Sequence, residues 1–403
     1  MTMNSKRISL NSTGVFVIRL GAMVMLMGCL AHAAGFSGQT KDGFAIPQPG
    51  RHFVFPRDHG SHPDFAIEWW YITGHLSASN ERQFGFQATF FRLALAPPGT
   101  AGGSSSAASS SAAFGSRQIY MAHMALVDKN SGRFIYQERL NRDGWDAYSS
   151  TNTLDVRNGN WSLRLLSGKT NVSANDSEKM ELQASIGADA SFDLDLTPQK
   201  PLVVFGVDGV SRKASDPAAA SHYLTYPLLA VKGGLNPGET NLAVAGQAWM
   251  DHEFSSSQLG AGQVGWDWLS LQLEDGRELM AYRMRRNDGS TDPFSTVAWI
   301  DQSGKVLQVG PRDFKWTILD HWHSTHTQAD YPSLVKLEAL NPFTGRVETF
   351  VVQPFVVDQE LVDRTGRESY WEGASRVLDA NKKQIGLAYM ELTGYAKSLN
   401  GRL

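Results

Sequence analysis

The chain has 403 residues, enough for about two domains at roughly 150 to 200 residues each. It carries 37 Lys and Arg against 40 Asp and Glu. The resulting net charge of −3 excludes a nucleic-acid-binding protein that relies on phosphate contacts, because such a protein needs a strong basic excess. With 42% hydrophobic and 19% charged residues, the chain is too apolar for a disordered protein and is expected to bury a sizeable core.

Residues 1–34 have the order of a secretory signal peptide. Lys6 and Arg7 precede an apolar run over residues 20–30, which ends at a small-residue cleavage site finishing at Ala33. The run is shorter than the ~20 residues that a membrane span needs. The single cysteine, Cys29, lies in a sequence similar to a bacterial lipobox, which would allow acylation of Cys29 and membrane association. The alternative is soluble release after cleavage, and we slightly favour soluble release. Both alternatives predict a periplasmic or outer-envelope protein.

After the predicted signal peptide, the sequence pattern predicts an all-β protein. Apolar and polar residues alternate with period two, and the spacing of amphipathic helices hardly occurs. Turn signals such as Asp275-Gly276 separate the alternating segments and predict hairpins. Clear strand patterns occupy residues 84–91, 119–127, 264–273 and 385–392. The expected architecture is therefore antiparallel sheets closed into barrels or sandwiches.

Two domains are predicted, over residues 35–235 and 236–403, because Gly and Pro cluster around the boundary. Residues 97–116 are dominated by Ala, Gly and Ser and predict a mobile loop inside the first domain. An acid-Trp pair opens a predicted strand at both Glu68 and Asp267, a faint internal repeat that tandem barrels would produce.

A dense polar and aromatic stretch surrounds Glu68. Period two places Glu68, Trp70 and Ile72 on one face of a strand and Trp69 and Tyr71 on the other. A carboxylate that shares a face with apolar side chains either pairs with a cation or lines a cavity. A structural ion pair, for which Arg92 is one candidate partner, is the simpler interpretation, and Glu68 and Trp70 are also candidate ligand-binding residues.

Two patterns suggest cofactors and are set aside. His321, His323 and His326 could present imidazoles to a metal, but no further ligand is identifiable, so a solvated strand end is preferred. The glycines at 260, 262 and 265 match a dinucleotide fingerprint but lead into a strand instead of a helix. We therefore expect neither a metal nor any other cofactor.

Long aromatic motifs spread over the mature chain resemble the lipocalin-like AttH and carotenoid 1,2-hydratase superfamily. They begin at Pro56-Arg-Asp-His-Gly-x-His-Pro-x-Phe-x-x-Glu-Trp-Trp-Tyr-x-Thr-Gly74 and include Ala248-Trp-Met-Asp-His-Glu-Phe254, Gly265-Trp-Asp-Trp268 and Glu391-Leu-Thr-Gly-Tyr395. The resemblance implies two tandem lipocalin-like antiparallel β-barrels.

The same resemblance implies candidate catalytic residues. By similarity to the hydratases, the acid would be Asp251, and Trp249 stands where the hydratases have Tyr. The histidine of the hydratases would correspond to His222, which is followed by Tyr223. Trp249, Trp266 and Trp268 would desolvate Asp251, raise its pKa and stabilise a carbocation, while His222 would orient or deprotonate water. Trp266, Trp268 and Tyr223 are further candidate ligand-binding residues.

Two functions remain open. The first is an exported enzyme that encloses an extended apolar ligand, such as an isoprenoid, polyene or lipid, and hydrates, isomerises or cyclises it without a cofactor. The alternative is a non-catalytic carrier of a lipid or other hydrophobic ligand, or an envelope accessory protein working with a transporter. His222 and Asp251 are expected to face one cavity between the halves if there is turnover, and opposite surfaces if the protein is a carrier.

Overall fold

A computed structural model describes residues 38–99, 117–144, 146–166, 178–238, 240–363 and 369–399. The predicted signal peptide, Cys29 and most of the predicted Ala/Gly/Ser loop lie outside the described residues. The all-β prediction is confirmed, since the described residues form 23 strands and one short 3₁₀ helix, Arg57–His59. Within these residues, no helix has the length and apolar character needed to cross a membrane.

The first sheet contains 13 antiparallel strands. They are β1 (Ile67–Ala78), β2 (Gln83–Ala94), β3 (Gln118–Asp128), β4 (Phe134–Arg142), β5 (Ala147–Ser149), β6 (Asp155–Asn158), β7 (Trp161–Leu165), β8 (Met180–Ile186), β9 (Ala190–Pro198), β10 (Val203–Val204), β11 (Ser211–Arg212), β12 (Ala220–Asn236) and β13 (Leu242–Ser257). The main path runs β4-β3-β2-β1-β13-β12-β9-β8-β7-β6-β5. Its ends approach each other, because the Asn141 side chain on β4 donates a hydrogen bond to Asn158 Oδ1 at the end of β6, at 2.6 Å.

The second sheet contains ten antiparallel strands in the order β17-β16-β15-β14-β23-β22-β20-β19-β18, with β21 paired to β22. They are β14 (Gln263–Leu273), β15 (Glu278–Arg286), β16 (Thr296–Ile300), β17 (Val306–Val309), β18 (Phe314–His323), β19 (Asp330–Asn341), β20 (Arg346–Pro354), β21 (Glu360–Leu361), β22 (Tyr370–Leu378) and β23 (Gln384–Leu392). The prediction of an all-β chain with two tandem antiparallel β-barrels is therefore confirmed, as two antiparallel sheets that follow one another along the chain.

The two sheets do not divide at the predicted boundary. Residues 235 and 236 are the last two residues of β12, which forms a hairpin with β13. β1 pairs with β13 along the whole length of β1, from Ile67 opposite Ser255 to Ala78 opposite Val244. The chain changes sheet after Ser257 and before Gln263. The Gly and Pro cluster marks a tight hairpin here, because the same residues serve turns and linkers alike.

Four apolar clusters are buried among the described residues, and three of them are large. One fills the first sheet and contains Trp70, Ile72 and Phe86, and a second fills the other sheet around residues such as Trp299. The third lies between the sheets and includes Tyr71, Tyr223, Trp249 and Trp268, among others. A side chain at Gly85 of β2 would clash with Ala374 of β22, so glycine allows this close approach. The outer faces of the two sheets therefore form a buried interface.

Candidate functional site

A cavity of about 600 Å³ lies within this interface. Both sheets contribute to its wall, which combines aromatic and acidic side chains. The lining residues are Ile67, Trp69, Tyr71, Thr89, Phe91, Leu93, Met121, His123, Glu138, Lys213, Tyr223, Asp251, Glu253, Gln258, Trp266, Trp268, Tyr282, Met284, Asp363, Tyr370, Glu372, Glu391, Thr393 and Leu399. Its volume lies within the range of small-molecule sites, which are typically about 300 to 1,000 Å³.

Strand pairing explains why Asp251 reaches the cavity. On β13, residues 249, 251 and 253 share one face, and Asp251 stands between Tyr71 of β1 and Thr225 of β12. Antiparallel partners directly opposite each other place their side chains on the same face of the sheet. Asp251 therefore has aromatic and hydroxyl neighbours from both adjacent strands.

Asp251 is buried and accepts three hydrogen bonds. Tyr223 Oη donates to Oδ2 at 2.6 Å, whereas Thr225 Oγ1 and Trp249 Nε1 donate to Oδ1, each at 2.7 Å. Trp268 Nε1 in turn donates to the Tyr223 hydroxyl at 3.0 Å. Burial outweighs these bonds and, with the nearby charge of Glu253, raises the pKa of Asp251 to about 7. A substantial fraction of Asp251 is then protonated near neutral pH.

A basic group and a second carboxylate lie beside Asp251. Lys213 Nζ is 3.3 Å from Glu253 Oε2, and it lies over the rings of Tyr223 and Tyr282 at 4.7 and 4.3 Å from their centroids. Burial opposes the charge on Lys213, but Glu253 overcomes that effect and raises the lysine pKa. Lys213 is therefore a protonated ammonium and cannot serve as an amine nucleophile near neutral pH.

A carboxyl pair from the second sheet faces the same cavity. Glu372 of β22 and Glu391 of β23 are direct cross-strand partners, and Trp266 Nε1 donates to Glu391 Oε2 at 3.1 Å. Burial raises the pKa of Glu391 to about 7. Burial and the adjacent Glu391 also raise the pKa of Glu372 well above its usual range, although the Tyr71 and Tyr370 hydroxyls oppose this. Neither residue was predicted as a site residue, although Glu391 opens one of the motifs that carry the family resemblance.

His222 does not join Asp251. Its strand neighbours alternate, so Tyr223 and Thr225 face the cavity and His222 faces the other way. His222 packs edge-on against Phe53 and Phe65, and its Nδ1 lies 2.7 Å from the Gly209 carbonyl oxygen. Burial lowers its pKa to about 4, so the ring is neutral and donates this bond. The prediction that His222 and Asp251 share a cavity is wrong, because an offset of one residue reverses the face of a strand.

Glu68 and Trp70 also face away from the cavity. Trp70 belongs to the core of the first sheet and donates from Nε1 to the His59 carbonyl oxygen at 3.0 Å. Arg92 Nε donates to Glu68 Oε2 at 2.9 Å, and both side chains are buried. The assignment of Glu68 and Trp70 as ligand-binding residues is therefore corrected, and Glu68 takes the structural alternative of an ion pair with Arg92.

Glu68 is the centre of a larger network. Its Oε1 lies 2.8 Å from His62 Nδ1 and 2.9 Å from His252 Nε2, while Ser61 Oγ donates to Oε2 at 3.0 Å. Burial would raise the pKa of Glu68, but the two histidines and Arg92 hold it well below the usual range. We call Ser61, His62, Glu68, Arg92 and His252 the Glu68 network.

Metal ligation can be tested on geometry. Among the described residues, His62, Glu68 and His252 are the one set of three potential ligands whose atoms lie close enough to hold a metal. The Glu68 oxygens, however, already accept bonds from two imidazoles, a hydroxyl and a guanidinium. This donor set satisfies the carboxylate without an ion. In the His321 region, His323 and His326 instead bind Asp330 and Asp358 separately.

Comparisons with known proteins agree with this architecture. The sequence profile of the AttH-like family matches residues 46–395. A protein of Nitrosomonas europaea assigned as AttH has a crystal structure that is 32% identical, covering 87% of this chain and all of that one, with a TM-score of 0.73. Kievitone hydratase from Nectria haematococca is 14% identical over 88% of this chain and 98% of its own, with a TM-score of 0.60, which shows a shared fold.

None of the curated protein sequences matches this chain significantly. The profile match spans most of the chain, and the identity to the Nitrosomonas protein extends over nearly all of it. The chain therefore belongs to the AttH-like family.

Proposed function

We propose that this protein binds an extended apolar ligand between its two sheets and, with Asp251 as the acid, adds water across or isomerises a carbon–carbon double bond. One observation carries the proposal: a buried carboxyl with a pKa of about 7 faces an aromatic-lined cavity between the two sheets. A carboxylic acid that keeps its proton near neutral pH is what alkene protonation requires. The shared fold with a hydratase agrees with this chemistry without establishing it.

The reaction can be balanced with Asp251 alone. Transfer of its proton to one alkene carbon leaves a carbocation on the other and a carboxylate at Asp251. The indole of Trp268 and the ring of Tyr71, which contact each other edge-on at 5.3 Å between centroids, would stabilise the cation through their π-faces. Water then bonds to the cation and returns a proton to Asp251. Loss of a neighbouring proton to Asp251 would instead give the isomer.

This scheme dispenses with His222. Tyr223 takes the position beside Asp251 and is held by Trp268, so the hydroxyl is fixed before any ligand binds. Burial and the charge of Asp251 raise the pKa of Tyr223 well above its usual range, which keeps it a neutral donor. Tyr223 therefore orients the acid and stabilises the carboxylate that forms after proton transfer.

A carrier without turnover is the second candidate, and the position of His222 on the opposite face favours it. In that case the same cavity would hold a lipid, isoprenoid or polyene for transfer at the envelope, next to a transporter. Export by the predicted signal peptide, followed either by soluble release or by an acyl anchor at Cys29, is compatible with both proposals.

Asp251→Asn separates the two candidates. The variant should purify with the unreacted ligand, whereas the wild-type protein should purify with a product whose mass differs by one water or which is an isomer. The ligand extracted from the variant, supplied to wild-type protein in D₂O, should acquire deuterium on carbon. The same ligand in both proteins, with no deuterium incorporation, would contradict the enzyme and support the carrier.

A further inference from the structure

The wall of the cavity combines acidic and aromatic side chains, and most of the acidic side chains take no part in the proposed acid chemistry. Six of its lining side chains are carboxylic acids and only one is a lysine. Asp251 suffices as the acid, and Lys213 is occupied with Glu253. The acids Glu372 and Glu391, at the second-sheet side of the cavity, are left over and define what we call the Glu372 pair.

Glu372 is an unsatisfied group aimed into the cavity. Its side chain is buried, with about one hundredth of the residue exposed, and neither carboxyl oxygen makes a hydrogen bond of normal geometry. The buried Tyr71 hydroxyl, which is close enough to Glu372 for each group to shift the pKa of the other, is also without such a bond. Buried polar groups without partners are rare and costly, so a site for a ligand group is the economical explanation.

The surroundings of the Glu372 pair suit a cation. Trp268 of β14 is the cross-strand partner of both Glu391 on β23 and Tyr282 on β15. The Trp266 indole contacts Glu391 directly. Aromatic faces attract cations, and an ammonium supplies several hydrogen-bond donors to carboxyl oxygens that lack them. An anionic head group would instead meet an excess of acids in a desolvated site.

We propose that the ligand of this cavity carries a protonated nitrogen, which binds between Glu372 and Glu391 against the surrounding aromatic rings while its apolar body extends toward Asp251. The inference rests on the proposed function in that it assumes a ligand with an apolar body. It assigns the polar end of the ligand, which the acid chemistry leaves open. A fatty-acid-like ligand with a terminal carboxylate is disfavoured.

Proton linkage gives the inference a second signature. An ammonium next to the Glu372 pair stabilises the ionised carboxyls, so their pKa values fall on binding and protons are released. The affinity for a cation should then rise with pH as long as the acids of the ligand-free protein are still protonated. The pKa of Glu391 in the ligand-free protein is about 7. The affinity for an uncharged ligand should stay nearly constant over the same interval.

Three probes with the same decyl chain test the inference on the full-length protein: decylammonium, decanol and decanoate, each below the concentration at which it aggregates. Binding is followed by tryptophan fluorescence and by calorimetry. Decylammonium is expected to bind about tenfold more tightly than decanol, and decanoate more weakly than decanol. The decylammonium affinity should increase between about pH 6 and about pH 8.

Glu372→Gln should reduce the preference for decylammonium over decanol by about tenfold while leaving decanol binding unchanged. Glu274→Gln, at an exposed acid outside the cavity, is the matched control and should change nothing. If Glu372→Gln does not fold, Glu391→Gln makes the same test. Equal or tighter binding of decanoate, or an intact preference in the folded variant, overturns the inference but leaves the apolar-ligand proposal standing. Failure of all three probes to bind overturns both.

Discussion

The two faces of β1 and β13 bury acids of opposite character. On the inner face, Glu68 lies among Arg92, His62 and His252, and its pKa is held well below the usual range. On the outer face, Asp251 has only hydroxyl and indole donors, and burial raises its pKa to about 7. Both acids are fully buried, so burial alone does not decide their state.

The neighbours of each carboxyl group distinguish a structural carboxylate from a potential acid catalyst. A cationic partner offsets the desolvation of Glu68 and fixes it as an anion. Neutral donors around Asp251 offset burial only in part, so the proton remains available. Four experiments test this contrast, and they follow in order of decreasing effect.

Glu68→Ala should cause the largest loss of stability. Removing the carboxylate leaves the buried Arg92 without its ion pair and deprives two histidines of their shared acceptor. Breaking a buried charge pair from one side costs about 3 to 5 kcal/mol. Urea unfolding should show this decrease, whereas Asp251→Asn, which leaves no charge unpaired, should cost about 1 kcal/mol. A comparable loss in both variants would contradict the contrast.

Raising the pH should destabilise the wild-type protein through Asp251. Its pKa is higher in the folded state than the ordinary value of 3.8, so the folded form binds more protons. The associated stability is fully present below about pH 4 and is lost as the pH rises to about 7, by about 1.4 kcal/mol for each pH unit in that interval. The free energy of unfolding of Asp251→Asn should therefore decline less than that of wild type between about pH 4 and pH 7.

Glu68 predicts the reverse dependence. Because its folded pKa is lowered, its stabilisation is present above the ordinary value of 4.5 and is lost as the pH falls. Glu68→Gln should accordingly flatten the acid side of the stability profile. A variant profile that stays parallel to wild type below about pH 4 would refute an ionised Glu68.

His222→Asn should have the smallest effect on function. His222 packs on the face opposite Asp251 and contacts the Gly209 carbonyl, so its loss should cost about 1 kcal/mol of stability and leave ligand turnover or binding unchanged. Tyr223→Phe is the paired variant, since it removes a donor to Asp251 and should reduce turnover. Loss of turnover in the His222 variant alone would restore the pairing of His222 with Asp251.

Sequence periodicity predicted a good part of this arrangement. The division of Glu68 and Trp70 from Trp69 and Tyr71 is correct, because side chains alternate strictly along a regular strand. Which face borders a cavity could not be predicted, since β1 is buried on both sides. The usual contrast between a polar and an apolar face is then missing.

The errors have two physical causes. Counting residues to His222 follows a strand that contains register shifts, at Ala220 to Ser221 and at Tyr226 to Leu229, and one residue of offset reverses the face of a side chain. The Glu372 pair was missed because its position in the cavity depends on the contact of β22 and β23 with the first sheet, and that contact is non-local. Local patterns carry little information about such contacts.

The most direct test is the protonation state of Asp251, measured as the infrared difference between wild type and Asp251→Asn across a pH series. A buried protonated carboxyl has a carbonyl band that the carboxylate lacks. We expect a wild-type band, absent in the variant, that disappears as the pH rises through about 7. If wild type and variant show the same protonated-carboxyl absorption at about pH 5 to 6, Asp251 is already ionised there and the proposed acid is contradicted.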